Sequence, residues 1–327
     1  MPKKTDAPQV TILQADCRTW MQSQRPGSIR CVITSPPYNL GIAYSAYEDT
    51  APRRDYLSWL DGVFQDVRRV LADDGHFFLN VGYSNTDPSV DFEVASVARK
   101  HFELQNRITW VKSITIGDET HGHFKPINSP RFLNATNELV FHLTKSGSVP
   151  VDRQAVGVPY KWKCNLDKRG RIRGRLAKKL GFANWRDFES NASSAQRAAL
   201  DEELELRVER LGQVQDRRCR GNSWFIPYDT IRDRELERGT HPATFPVALP
   251  EMCMRFAACP AGAVIYDPFV GSGTTMIAAR DLGMAGVGTD IDEGYVAYAN
   301  ARLVATGRQP GLFDRVATGS NGQHVAG

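Results

Sequence analysis

Two short stretches, far apart in the chain, carry residue types that can do chemistry: 34-TSPPYNL-40 and 267-DPFVGSGTT-275. The first sets a hydroxyl, two prolines and an aromatic ring directly after an apolar run, 29-IRCVI-33, that reads as a buried strand. Proline cannot donate to a sheet ladder, so the strand stops at this corner with both proline φ angles pinned. Ser35 and the Pro36 carbonyl are then two acceptors of fixed aim, Pro37 stiffens the turn, and Tyr38 offers a face on which a flat ring can stack. In the second stretch, Gly271 and Gly273 let backbone pass close to a ligand where a Cβ would clash. The helix that follows presents free N–H groups and a partial positive charge. Asp267, at a strand end, is placed to accept from an ammonium.

A phosphate-gripping loop needs Lys where this chain has Thr274, and a dinucleotide fingerprint needs a small residue where it has Met276. Both are disfavoured. What remains is a nucleoside ligand with an ammonium and a carboxylate in place of a pyrophosphate, a description that S-adenosylmethionine fits. In 286-GVGTDID-292, Asp290 ends the next strand, where an acid can take both hydroxyls of a ribose. Read alone, Asp290 is a helix N-cap, a role that Asp292 suits better. Asp16, in 12-ILQADC-17, also ends a strand and can accept from an exocyclic amine such as adenine N6.

These residues need a frame that gathers strand ends. Short apolar runs at 10–14, 29–34, 77–81, 107–111 and 138–143 alternate with helical patterns at 55–75 and 90–102. In the first helix, Leu57, Leu60, Val63, Phe64, Val67, Val70 and Leu71 recur at helical spacing, and Asp74-Gly75 is expected to end it. The same rhythm returns with a helix at 246–257, a strand at 263–266, a helix at 276–283, a strand at 285–289 and a helix at 293–306. Such alternation predicts an α/β fold, a doubly wound, mostly parallel sheet. Loops that leave its strands then meet at the carboxyl edge, where open α/β sheets bind ligands.

The rhythm breaks between about 145 and 222, where a basic, Gly- and Arg-rich segment contains one helical run, 195–211. Lys161, Lys163, Lys168, Arg169, Arg171, Arg173, Arg175, Lys178 and Lys179 crowd into nineteen positions against the single acid Asp167. Such a cluster can hold phosphates by charge. Alone it reads as a solvated surface; with the strand-end residues above it reads as a nucleic-acid contact. Trp185 and Phe188 fit a small local core better than base stacking. The expected parts are a catalytic half over 1–145, an inserted recognition module over 146–222, a cofactor half over 223–306 and a mobile tail over 307–327.

Net charge is +4 and hydrophobic content 41% over 327 residues, ordinary for a soluble globular chain. No apolar run approaches the ~20 residues that span a bilayer, and 1-MPKKTDAPQV-10 lacks the apolar segment of a secretory leader. Six scattered cysteines, without CxxC or paired His spacing, predict neither a metal site nor a disulfide framework. The expectation is a cytoplasmic protein with no membrane contact.

With 34-TSPPYNL-40 first and 267-DPFVGSGTT-275 last, the chain resembles the amino-group DNA methyltransferases of the permuted beta group. Further matches are 108-ITWVKS-113, 136-TNELVFHLTK-145 and 241-HPATFPVAL-249, the last being similar to the segment that closes over the methionine end of the cofactor. The resemblance covers roughly 10–145 and 222–306. It implies a class I, Rossmann-like methyltransferase fold that binds S-adenosylmethionine through Asp16, Cys17, His241, Thr244, Phe245, Asp267, Pro268, Phe269, Gly271, Ser272, Gly273, Thr274, Asp290 and Ile291. It implies catalysis by Ser35, Pro36, Pro37 and Tyr38 on a base in double-stranded DNA. A cognate restriction endonuclease and a homodimer belong to the same expectation. Ser at the head of the tetrapeptide favours cytosine N4, where Asp favours adenine N6. A non-catalytic DNA-binding protein that keeps the fold is the competing reading.

Overall fold

The structure, a computed structural model, describes residues 9–41, 46–47, 49–123, 127–159, 168–210, 217–227 and 244–306, with backbone alone at 168–171, 205 and 207–210. Lys161, Lys163, His241 and the 307–327 tail lie outside the described residues. The chain divides into two compact units, one of Met1–Asp152 with Gly221–Gly327, the other Arg153–Arg220.

The first unit opens with β1 (Val10–Gln14), α1 (Cys17–Ser23), β2 (Ile29–Thr34), α2 (Arg53–Val70), β3 (Leu71–Val81) and α3 (Val90–Ala98). Next come β4 (Glu103–Val111), a hairpin of β5 (Ser113–Ile116) and β6 (Glu119–Gly122), and β7 (Asn137–Thr144). The second unit holds β8 (Val158–Pro159), α4 (Lys168–Lys179), α5 (Trp185–Asn191), α6 (Ser194–Arg210) and β9 (Arg217–Arg218). The first unit resumes with β10 (Ser223–Phe225), α7 (Ala248–Phe256), β11 (Val264–Asp267), α8 (Thr274–Asp281), β12 (Ala285–Asp290) and α9 (Glu293–Ala305).

Eight strands form one sheet in the order β1-β12-β11-β2-β3-β7-β4-β10. β7 runs antiparallel between β3 and β4, and every other pairing is parallel. Side chains alternate across a strand, so each face of β3 has its own cover. Phe77, Leu79 and Val81 pack with Val32 and Tyr266 under the apolar stripes of α1, α2 and α3. Phe78 faces the other way, where Phe256 of α7 meets it and His142 edge-on. Helices thus cover both faces, as the alternation predicts.

The expected C-cap at Asp74-Gly75 is not there. α2 stops at Val70, and Leu71 turns extended (φ −68°, ψ 137°) to enter β3. Leu71 is fully buried and pairs with Ile29, and the register shifts before Cys31 meets His76. Gly75 serves that irregularity, since a Cβ there would lie 2.8 Å from Leu71 Cγ and 2.9 Å from the Ala72 carbonyl oxygen. Burial of Leu71 outweighs its place in the helical stripe.

Among the described residues of the second unit, three helices stand where one was expected. Leu176, Ala177, Phe188, Leu200 and Leu204 form their core. Trp185 stacks on Phe188 at 5.2 Å and carries the Arg173 guanidinium on its face at 5.5 Å. These aromatics therefore build a local core, the blander of the two readings weighed above. The basic segment folds as α4 although Gly170 and Gly174 thin its apolar stripe.

Candidate active site

Four parallel strands deliver their carboxyl ends side by side: β1 with Asp16, β12 with Asp290, β11 with Asp267 and β2 with Ser35. β2 and β11 are joined at their ends by a hydrogen bond from Thr34 Oγ1 to Asp267 Oδ1 (2.6 Å). Thr275 Oγ1, on α8, donates to Asp267 Oδ2 (2.6 Å), and the Phe269 N–H to Oδ1 (3.1 Å). Burial pushes this carboxyl up to about 6 against those three donors. Asp267 is 1% exposed, and its polar contacts in the structure are with the protein. It is a brace between the two loops, with one threonine hydroxyl on each of its oxygens.

The glycine loop follows. Gly271 and Gly273 have φ of +46° and +79°, where a side chain is strained. The Gly271 N–H donates to Asp290 Oδ2 (3.1 Å) and the Asp292 N–H to Oδ1 (3.0 Å). Asp292 caps α9 by accepting from the Tyr295 N–H (2.8 Å), which frees Asp290 from that duty. Ser272 and Thr274 are buried, and Arg302 of α9 donates to both hydroxyls (3.2 and 2.9 Å). Those two side chains tie helices together and do not reach the ligand space.

That space is a cleft with about 870 Å³ of empty volume, open solvent at its mouth included. Its walls bring together Asp16 and Cys17, the whole Ser35–Tyr38 corner, Pro268 and Phe269, and Asp290 and Ile291. Asp267, Gly271, Ser272, Gly273 and Thr274 lie behind the wall, and Thr244 and Phe245 are not part of it. Tyr47, Trp59 and Tyr295 also line it, none of them singled out by sequence. Trp59 approaches Phe269 at 5.5 Å and Tyr47 at 5.8 Å, an aromatic side against which a flat ligand can lie. Asp16 caps α1 with Oδ1, accepting from the Thr19 N–H (2.8 Å). Burial, then the charge of Asp16, pushes the Cys17 thiol up to about 12, so it stays protonated and is no nucleophile.

The proline corner is anchored from outside. The Tyr56 hydroxyl donates to the Pro37 carbonyl (2.7 Å), whereas the Pro36 carbonyl accepts from no partner among the described residues. Asp49, 2% exposed, accepts from the Asn39 and Leu40 N–H groups (2.8 and 3.0 Å) and holds Asn39 at φ +57°. Ser35 Oγ and Tyr38 Oη share a short hydrogen bond. Asn80 Nδ2 donates to Tyr38 Oη (2.9 Å) and lies 3.4 Å from Ser35 Oγ, and the Tyr38 hydroxyl also reaches Glu138 Oε2 (3.2 Å). Tyr38 is therefore tethered through its hydroxyl, an engagement not foreseen in the stacking role. Gly82 makes room for it: a Cβ there would fall 2.9 Å from Tyr38 Cε2 and 3.1 Å from Glu138 Cδ. Asn80 and Glu138 are polar residues inside apolar strand runs, and that is the signal by which sequence reading could have found them.

Of the expected DNA contacts, Lys168, Arg169 and Arg171 lie on the α4 backbone, Arg173 is half-buried against Trp185, and Arg175 is exposed. Among the described residues no cluster of His, Cys, Asp or Glu fits a metal ion, and no helix is long and apolar enough to cross a membrane.

A model of the N6/N4 DNA methylase family matches residues 29–301. The chain is 26% identical over 299 residues to the type II methyltransferase M.ScaI of Streptomyces caespitosus, covering 90% of this chain and 82% of that one. It is 22% identical over 293 residues to the DNA adenine methyltransferase YhdJ of Escherichia coli K12, with 90% and 82% covered. Among solved structures, the PvuII DNA methyltransferase, titled cytosine-N4-specific, superposes with a TM-score of 0.57 at 17% identity, covering 90% of this chain and 88% of its own. That likeness is one of fold.

Proposed function

Since the chain belongs to the DNA methylase family that modifies N6 and N4 amino groups, we propose that it moves the methyl group of S-adenosylmethionine onto N4 of a cytosine swung out of duplex DNA. The observation that carries this reading is the shared cleft: the Ser35–Tyr38 corner and the Pro268, Phe269 and Asp290 wall face one space.

The walls suit a nucleoside. Asp290 keeps lone pairs on both oxygens for ribose hydroxyls while its backbone partners hold it in place. Asp16 spends Oδ1 on its helix, and Oδ2 is the proposed acceptor for the adenine amine. Trp59 and Phe269 flank a flat ring. Bound there, S-adenosylmethionine supplies an electrophilic methyl on a sulfur that departs as a neutral thioether.

An aromatic amine is a poor nucleophile because its lone pair is delocalised into the ring. Acceptors fixed around its two N–H groups favour a tetrahedral nitrogen, a form of preorganised electrostatics. Ser35 Oγ takes one hydrogen and the unpartnered Pro36 carbonyl the other. Tyr38 stacks on the base, worth about 1–3 kcal/mol, which offsets part of the few kcal/mol that extrusion costs. Ser35 at the head of the corner supports cytosine over adenine, as does the printed specificity of the PvuII enzyme. The printed activity of YhdJ keeps adenine N6 as the second reading. The basic face of α4 is proposed to hold the DNA backbone, and the name of M.ScaI supports a partnership with an endonuclease of the same target site.

Methylating DNA with this protein, digesting it to nucleosides and weighing the products is the test. N4-methylcytosine is the expected product, and N6-methyladenine as the sole product refutes the cytosine assignment.

A further inference from the structure

Behind the proline corner lies a polar chain that methyl transfer as described above does not use. Glu138 opens β7 within the sheet, with its side chain 12% exposed, and Lys112, just past the end of β4, donates to its Oε1 (2.8 Å). Two further groups converge on Oε2: Asn80 Nδ2 at 2.7 Å and the Tyr38 hydroxyl at 3.2 Å. Charge settles the donor directions. The carboxylate is the strongest acceptor present, so the Tyr38 proton points to Glu138. Tyr38 Oη then accepts from Asn80 Nδ2 and, through their short bond, from Ser35 Oγ. Asn80 is oriented by the same rule, since the reversed amide would set its oxygen against the carboxylate. The Ser35 proton is thereby drawn inward, and the Ser35 lone pairs face the cleft.

We propose that Glu138 is the final acceptor of the proton that the target amine must lose, reached through Ser35 and Tyr38; this rests on the amino-methyltransferase reading above. As the amine lone pair forms the bond to the methyl carbon, the C–S bond breaks and its electron pair stays on sulfur. The nitrogen is left with one proton too many. That proton passes to Ser35 Oγ, the Ser35 proton to Tyr38 Oη and the Tyr38 proton to Glu138 Oε2. The methylated amine ends neutral, both hydroxyls are restored, and the carboxylic acid returns its proton to solvent before the next turnover. Glu138 touches no reacting atom; it is a positioning residue acting through Tyr38. A purely structural ion pair would need only Lys112, yet Oε2, the oxygen turned away from Lys112, is the one that meets the corner.

Glu138→Gln keeps an acceptor for Tyr38 and Asn80 but cannot take a proton. In single-turnover transfer of labelled methyl to DNA, it is expected to be slowed about 10²- to 10⁴-fold, the span of general acid–base catalysis. S-adenosylmethionine affinity should stay within about threefold, because the residue is no part of that wall. Tyr38→Phe should show a similar loss, with little more in the double variant, as members of one chain are not additive. Wild-type speed in Glu138→Gln overturns the relay. Should a melting curve show that variant unfolded, Tyr38→Phe decides alone, and an undiminished rate there overturns the relay equally. Label is counted in whichever base takes it. An adenine product therefore refutes only the cytosine assignment, whereas wild-type protein that labels no DNA refutes both.

Discussion

On the β1–β12–β11 side of the cleft, the residues that shape the wall are held by backbone. Asp16 takes the Thr19 N–H, Asp290 takes the N–H groups of Gly271 and Asp292, and two glycines at positive φ carry the turn. On the β2–β3–β7 side the support is made of side chains, Ser35 to Tyr38, Asn80, Glu138 and Lys112, handed from strand to strand. One side is a cradle whose shape suits an invariant ligand. The other is a polar relay whose groups act on hydrogens. The Thr34–Asp267–Thr275 brace is the seam between them.

If the division is real, variants should separate binding from rate. The largest effect is expected for Asp290→Ala, which removes two charge-assisted acceptors from the glycine turn. At roughly 1.5–3 kcal/mol each, that predicts a loss of S-adenosylmethionine affinity of at least about 10²-fold by calorimetry. Transfer at saturating cofactor should change little, and a fall in rate without a fall in affinity would erase the distinction. Next is Gly82→Ala. Its new methyl presses on Tyr38 Cε2 and Glu138 Cδ, so single-turnover rate should drop about tenfold while affinity holds, the cost of a misplaced acceptor in a preorganised site. Thr34→Val sharpens the seam: Asp267 loses a donor in a buried place, and thermal melts should report about 1–3 kcal/mol of lost stability.

Acidity gives the last contrast, because the buried histidines and the seam carboxyl respond with opposite sign. His76 on β3 and His142 on β7 form a buried pair (3.0 Å) whose values burial lowers to about 4 and about 3. The unfolded chain takes up their protons first, so stability is lost as pH falls below the unfolded value near 6.5. Asp267, raised to about 6, is charged at a penalty above pH 6, and that penalty is relieved on acidification. Two groups lose stability on acidification where one regains it. Melting temperature should therefore fall between pH 6.5 and 5, because two histidines outweigh one carboxyl. A melting temperature that rises across that interval would contradict the burial of the pair.

The same comparison explains what could be read in advance. Strand-end residues announce themselves: a proline pair, glycines and aspartates directly after apolar runs have few uses except to stop strands and expose backbone. Parallel strands then force those ends together, so Asp16, Ser35, Pro268 and Asp290 meet as expected. Of the relay, Asn80 and Glu138 show only as polar residues inside apolar strand runs, and nothing local says that they meet. Asn80, Lys112 and Glu138 meet only because β7 inserts antiparallel between β3 and β4, a pairing that βαβ rhythm does not announce. Asp267 shows the other limit. Its position at a strand end was legible, but Thr34 and Thr275 decide which way the carboxylate faces. The early end of α2 and the folding of the basic segment as α4 were hidden for similar reasons. In each, contacts distant in sequence outweigh the local pattern.

Ser35→Ala, titrated with S-adenosylmethionine and followed through one turnover on DNA, addresses the shared cleft most directly. Cofactor affinity within about threefold of wild type, with transfer at least about 10²-fold slower, is the expected pair of results. Transfer at wild-type speed, or affinity lost in step with rate, would contradict a hydroxyl that acts on the amine from across the cofactor's wall.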